Sequence, residues 1–202
     1  MQLRRSEKRA AISEFLSSMS LLSGDKTAMF GLFFILLLIF IGVFADFVSF
    51  HDPIEQDLAL RLAAPNLEHP FGLDEFGRDI LSRVIYGTRI SLQVGFSVIS
   101  ISLLIGIFMG SISGYFGGVV DLIIMRMADV FLAFPGLILA IGIMGVLGQS
   151  IFNIMIALSL VNWAGYARVI RSQVLYVRGL EYVEASRVMG ASNSNIILSH
   201  IM

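Results

Sequence analysis

The sequence predicts an all-α fold: a polytopic helical membrane protein with four transmembrane helices and a short helix beyond them. Three observations lead there. Of 202 residues, 56% are apolar and only 14% charged. Charge-free stretches of membrane-spanning length recur along the chain. Glycines number 19 against 4 prolines, a balance that suits close-packed membrane helices. A soluble domain carries about a quarter charged residues. With a mean hydropathy of +0.84 this chain cannot cover itself with polar surface, so lipid is its natural solvent. The net charge is −1 and the basic residues after position 9 are scattered, which argues against nucleic acid as a partner. The absence of cysteine excludes disulfides and thiolate metal sites.

The first stretch runs from Thr27 to Ala45 between Lys26 and Asp46. As helix it reaches about 28 Å, close to the hydrocarbon thickness of a bilayer. It is too long and begins too late for a signal peptide, and no small-residue cleavage site follows. The second runs from Ile90 to Val120, with a helix ending near Ser113 where Gly114-Tyr115-Phe116-Gly117-Gly118 has turn chemistry. The third, Val130 to Ala167, would reach about 57 Å as one helix, nearly twice the bilayer core. Gly145, Gly148, Gln149 and Ser150 divide it into two. The expected organisation is an N-terminal arm over 1–27, a first span over 28–46, a loop over 47–89 and a helical core over 90–202. Within that core the spans are expected over about 90–113, 123–146 and 151–168.

Charge sets the orientation. Arg4, Arg5, Lys8, Arg9 and Lys26 make the arm cytoplasmic by the positive-inside rule. The acidic loop then lies outside, and four crossings return Arg168, Arg171, Arg178 and Arg187 to the cytoplasm.

Ser102, Gly106, Gly110 and Gly114 recur every fourth residue. That spacing predicts a flat stripe against which another helix packs closely. Ala133, Gly136 and Ala140 have similar spacing, and Pro135 marks a kink or a first turn. Asp129 would sit at the edge of the bilayer, with Arg126 three residues earlier on the same face. Either Asp129 lines a substrate path or the two form a structural ion pair. The second reading is preferred, because the pair lies at the end of a span where Arg126 can snorkel. Asn153 and Asn162 suit helix–helix hydrogen bonds, and Trp163 suits an interfacial anchor or a packing position.

Before the second span, Gly72, Asp74, Gly77, Arg78 and Asp79 punctuate the loop. Ile80, Leu81, Val84, Ile85, Thr88 and Leu92 then form a one-sided pattern that predicts an amphipathic helix along the outer interface. His51 and His69 have no metal-ligand spacing and read as solvated side chains, so no metal site is expected.

After Arg168 the chain turns polar, and the run from Glu181 to Leu198 reads as a short helix, a glycine turn at Gly190 and the start of another helix. Val183, Ala185, Val188 and Met189 offer apolar surface, Glu181, Glu184 and Arg187 charge, and Ser192 caps a following helix with Asn195 in its first turn. Such a helix is a natural docking knob. The alternative is an ordinary connecting loop.

Glu184-Ala185-Ser186, three residues, then Gly190-Ala191 resembles the EAA loop of ABC-importer permeases, here covering about 180–198. Gly72-x-Asp74-x-x-Gly77-Arg78-Asp79 resembles the outer signature of the dipeptide/oligopeptide/nickel branch, with Leu73 where threonine is usual. Arg126-Met127-Ala128-Asp129-Val130 leading to Phe134-Pro135 is similar to the same branch. This resemblance implies a permease subunit of an ATP-driven importer in a bacterial inner membrane. ATP and magnesium would be bound by two partner ATPase subunits, with no cofactor in this chain. The other implied partners are a second permease in a heterodimer, an external substrate-binding protein and membrane lipid. The coupling residues carried over are Glu181, Glu184, Ala185, Ser186, Arg187, Gly190 and Ala191. The family pattern continues past Met202 with a proline–asparagine pair and two further spans, so a C-terminally truncated permease is expected.

The sequence has no phosphate-binding G-x4-G-K-[ST] motif and no catalytic constellation, so energy must come from partners and an enzyme is not expected. The rival reading is a secondary transporter or channel working without ATPases. It accounts for the glycine-rich spans and Asp129 and leaves the EAA segment idle.

Overall fold

The computed structural model describes residues 24–190. The N-terminal arm, Ala191 and the segment with Ser192 and Asn195 lie outside the described residues. Two compact units, 1–92 and 93–202, divide the chain. Among the described residues the regular structure is helical, apart from one isolated antiparallel bridge between Leu73 and Asp79.

In the first unit, α1 (Lys26–Val43) opens on Asp25, whose carboxylate accepts hydrogen bonds from Thr27 N–H at 2.8 Å and Ala28 N–H at 3.4 Å. These are orphan donors of the first turn. Phe30, Phe33, Ile35 and Leu36 are all more than half exposed on its sides, as a lipid-facing helix requires. A one-turn helix α2 (Ala45–Val48) and a 3-10 turn (Leu58–Leu60) follow. The long helix α3 (Ile80–Phe116) begins in this unit. Gly42 lets α1 approach it: a β-carbon there would lie 2.8 Å from Leu92 Cδ1 and 3.4 Å from Arg89 Cα. Arg89 then closes the end of α1. Its guanidinium donates to the carbonyls of Gly42 and Val43 at 2.9 and 3.0 Å and to both Asp46 oxygens at 2.9 and 3.0 Å. The last carbonyls of a helix need such partners, and a cation there also suits the helix dipole.

The second unit contains the rest of α3, α4 (Gly118–Ala133), α5 (Gly136–Leu147), α6 (Ile151–Arg178) and α7 (Glu181–Val188). Its core is small-residue packing. Ala128, Ala164 and Ala167 are fully buried beside Ile124 and Trp163, and Phe131 meets Trp163 edge-on at 5.7 Å. A second cluster joins Ala140 of α5 to Ala157 and Val161 of α6. Trp163 is thus a packing residue, 3% exposed.

Three elements differ from the sequence expectation. First, no boundary separates an interfacial helix from the second span. Ile80 to Phe116 is one 37-residue helix, about 56 Å long. The periodicity of Ile80–Leu92 was that of a helix, and nothing in it supplies a break. Second, the helix expected over 123–146 starts at Gly118 and is broken, α4 and α5 being bent by 95°. Pro135 lacks an N–H and drives Phe134 out of the helical region, to φ −97° and ψ 144°. Third, α6 continues past Arg168 to Arg178. The helices α1, α3 and α6 are long and apolar enough to cross a membrane, and the bent pair makes up to four spans.

Candidate functional site

Among the described residues, the helix α7 has one fully buried apolar anchor. Val183 is fully buried and packs on Tyr115 and Val174. The Leu180 carbonyl starts the helix by accepting from Val183 N–H and Glu184 N–H at 3.0 and 3.2 Å. Glu181, Glu184 and Ala185 are exposed and Ser186 is half-buried, its hydroxyl donating to the Tyr182 carbonyl at 2.8 Å. Val188 and Met189, 88% and 80% exposed, complete an open apolar end. Gly190 has φ +86°, the left-handed conformation that ends helices and that a side chain would strain. The Arg187 side chain and Ala191 lie outside the described residues.

Arg178, the last residue of α6, donates to the Tyr115 carbonyl at 2.8 Å and the Gly114 carbonyl at 3.3 Å, closing the end of α3. The small-residue stripe leads to this junction. A β-carbon on Gly106 would lie 2.5 Å from Tyr166 Cβ, on Gly110 2.6 Å from the Ala167 carbonyl oxygen, and on Gly114 2.8 Å from Val174 Cβ. Ser102, fully buried, donates to the Ser159 carbonyl at 3.2 Å. So α3 and α6 are in backbone-to-backbone contact over three turns, and α7 hangs from the end of that pair.

Beside it lies a cleft of about 730 Å³ between α4 and α6, lined by Asp121, Arg126, Asp129, Arg168 and Arg171. The expected Arg126–Asp129 pair is not the one formed. Asp129 accepts from Arg168 at 2.5 Å across the helix interface, because the alanine contacts bring α6 within reach. Arg126 lines the same cleft. Asp121 is held more fully, by two nitrogens of Arg171 and by the Ser113 hydroxyl, each at 2.5 Å. Sequence reasoning missed this triad. It read Arg168, Arg171 and Arg178 as an orientation signal, whereas all three also bind within the unit. Asn153 donates to the carbonyls of Leu147 and Gly148, capping α5, while Asn162 bonds its own helix at Leu158.

In the first unit the loop signature folds into a compact knot. Asp74 accepts from Phe76 N–H, Arg78 N–H and Arg78 Nε at 2.8, 3.0 and 2.9 Å, and from Arg83. Desolvation alone would raise its pKa, but the Arg78 and Phe76 hydrogen bonds and the Arg78 charge hold it at about 2. Gly77, at φ +72°, passes so close to Asp57 that a β-carbon would sit 1.8 Å from its carbonyl oxygen. Leu73, in the position where the family usually has threonine, is buried, 5% exposed. Asp79 starts α3 by accepting from Ser82 N–H at 2.7 Å. His51 and His69 are not solvated: both are half-buried, their rings 4.7 Å apart, with His69 Nδ1 3.1 Å from Asp79. Nothing in their spacing announced this, since the loop between them makes the approach.

A glycine-sealed helix pair, a bent apolar pair beside it and helices long and apolar enough to cross a bilayer define a helical polytopic membrane protein. Residues 102–202 match the model of the binding-protein-dependent transport system inner membrane component, and residues 19–65 that of the N-terminal TM domain of oligopeptide transport permease C. The chain belongs to this family of transport permeases. It is 40% identical to the dipeptide transport system permease protein DppC of Alkalihalophilus pseudofirmus, over 95% of this chain and 63% of that protein. It is 41% identical to the oligopeptide transport system permease protein OppC of Bacillus subtilis, over 88% and 58%. It is 38% identical to the nickel transport system permease protein NikC of Escherichia coli, over 89% and 65%. The chain thus spans about three fifths of the length of these relatives.

Proposed function

We propose that this chain is a membrane subunit of an ATP-driven importer for peptides, or for nickel or another small solute, and that α7 is the handle by which ATPase subunits move it. The observation that carries the reading is the build of α7: one buried residue, Val183, fixes it to the α3–α6 pair, while Glu181, Glu184, Ala185, Val188 and Met189 remain exposed. A helix so placed offers mixed charged and apolar surface to a groove. Force applied to it passes through Val183 and Arg178 into two helices already locked backbone to backbone. A change of access then requires only that the partner hold α7 differently in two nucleotide states.

The reading includes two ATPase subunits that bind ATP and magnesium, a second permease subunit, an external binding protein that sets much of the substrate choice, and no catalysis in this chain. The N-terminal arm and α7 lie on the cytoplasmic face, and the loop over 47–89 outside. The basic arm and the acidic loop support that orientation.

The test is co-purification of the ATPase subunits with this chain from membranes. Glu184→Lys and Gly190→Asp are each expected to reduce recovered ATPase at least tenfold, while membrane insertion stays unchanged. Undiminished ATPase with both variants would overturn the handle, and failure of any ATPase to co-purify with the unaltered chain would favour a transporter that works without ATPases.

A further inference from the structure

We propose that His51, His69 and Asp79 form a binding site for one divalent transition-metal cation of the zinc type. Three observations carry it. The three residues each present a ligand atom, and these atoms lie within 4.8 Å of one another. Two of them, His69 Nδ1 and Asp79 Oδ1, are 3.1 Å apart. Ligands at 2.0–2.1 Å from a tetrahedral zinc stand about 3.3 Å apart, so this edge of the site is already at its bonded length. Second, His51 Nδ1 is buried and has no hydrogen-bond partner. A buried ring nitrogen without a partner is costly, and this one belongs to a ring whose centre lies 4.7 Å from that of His69, tilted by 39°. Third, the three residues line a cavity of about 210 Å³ together with Glu55, Asp57 and Glu68, whose carboxylates draw a cation in.

The donor set fits the ion. Two imidazoles and one carboxylate suit zinc and its neighbours rather than calcium or magnesium, which prefer oxygen alone. Asp79 is prepared as a ligand, since its Oδ2 accepts from Ser82 N–H at 2.7 Å and leaves Oδ1 toward His69. Hydrogen bonds of this kind orient metal-binding carboxylates. The backbone of His51 is itself fixed beside Asp79, its N–H donating to the Ser82 hydroxyl at 3.3 Å. A bound ion would tie three points together: the chain just after α2, the loop at His69, and the residue that starts α3. The site stands on the first unit alone, and its fate is independent of α7.

The test is zinc binding to the full chain purified in detergent, by titration calorimetry, with cobalt as a spectroscopic stand-in. One ion per chain is expected. His51→Ala, His69→Ala and Asp79→Asn should each weaken binding at least tenfold, the last while keeping an acceptor for Ser82. His200→Ala should leave it unchanged. Zinc should also slow proteolysis within 50–79 in the wild type and not in His51→Ala. If His51→Ala fails to fold, His51→Asn, which keeps a polar donor, gives the same reading. Absence of stoichiometric binding by the wild type, or binding retained after loss of both loop histidines, would overturn the site and leave a metal-free His69–Asp79 hydrogen bond.

Discussion

The loop of residues 49–79 and the helix α7 are both polar in sequence, yet they are held in opposite ways. In the loop, the side chains of Asp52, Asp57, Asn66, Asp74 and Asp79 each accept a backbone N–H. Two glycines at positive φ, Gly72 and Gly77, let strands of chain pass at contact distance. By contrast, α7 rests on Val183 and leaves its apolar end open. Polar satisfaction and crossing contacts make a segment that keeps its own shape. A segment with one anchor and exposed apolar side chains keeps its shape best against a partner. The difference separates a region that is satisfied internally from one that leaves apolar surface uncovered within a single chain.

The sharpest way to break this comparison is at Gly77. Both its φ of +72° and the Asp57 carbonyl at 1.8 Å from an added β-carbon forbid a branched side chain. Gly77→Val is expected to cost more than about 3 kcal/mol and to open 50–79 to protease, with α7 unaffected. Wild-type protease resistance in that variant would mean that the loop is not rigid. Gly110→Leu comes next, since its side chain would enter the Ala167 carbonyl and Ile170. Overpacking of this kind costs about 1–3 kcal/mol, here separating α3 from α6. Reduced thermal stability in detergent is the readout, and an unchanged melting profile would place the stripe elsewhere. Val183→Ala should be milder, about 1–2 kcal/mol, because it removes two methyl groups from a small cluster. Its signature is loosening of α7 alone, seen as faster amide exchange over 181–188. Exchange that rises equally in α4 would show that the anchor is not local.

Much of this was legible in the sequence for a physical reason. Residue spacing reports faces and lengths, so the Ser102–Gly114 stripe, the turn at Gly148–Ser150 and the short helix ending at Gly190 were readable from local pattern. Lengths also misled. A 3.6-residue period does not say where a helix stops, and so Ile80–Phe116 was divided in two. The backbone effect of Pro135 was visible, but the size of the bend was not, because neighbours decide whether a proline kinks a helix or ends it. Contacts between distant residues were illegible altogether. Asp129 had Arg126 three positions away, and only the packing of α4 on α6 delivers Arg168 instead. His51 and His69 looked like loop histidines until the chain between them folded back.

The smallest expected effect is one of pH, and it tests why the loop holds. Asp74 has a pKa of about 2 against an ordinary 3.8. Asp79 is also lowered: its burial acts upward, but hydrogen bonds from Ser82 and His69 and the nearby His51 charge outweigh it. A carboxyl with a depressed folded-state pKa stabilises fully above its unfolded value and loses that contribution as pH falls toward the folded one. The loop should therefore be unchanged from pH 7 to about 4 and become protease-sensitive between about 4 and 2. In Asp74→Asn the step between those values should shrink, since the group that titrates is gone and Asn keeps one acceptor for Phe76 N–H. A step of the same height in Asp74→Asn would assign the acid sensitivity to Asp79 or to the other loop carboxylates, and the Arg78–Asp74–Arg83 cluster would be incidental to the loop's stability.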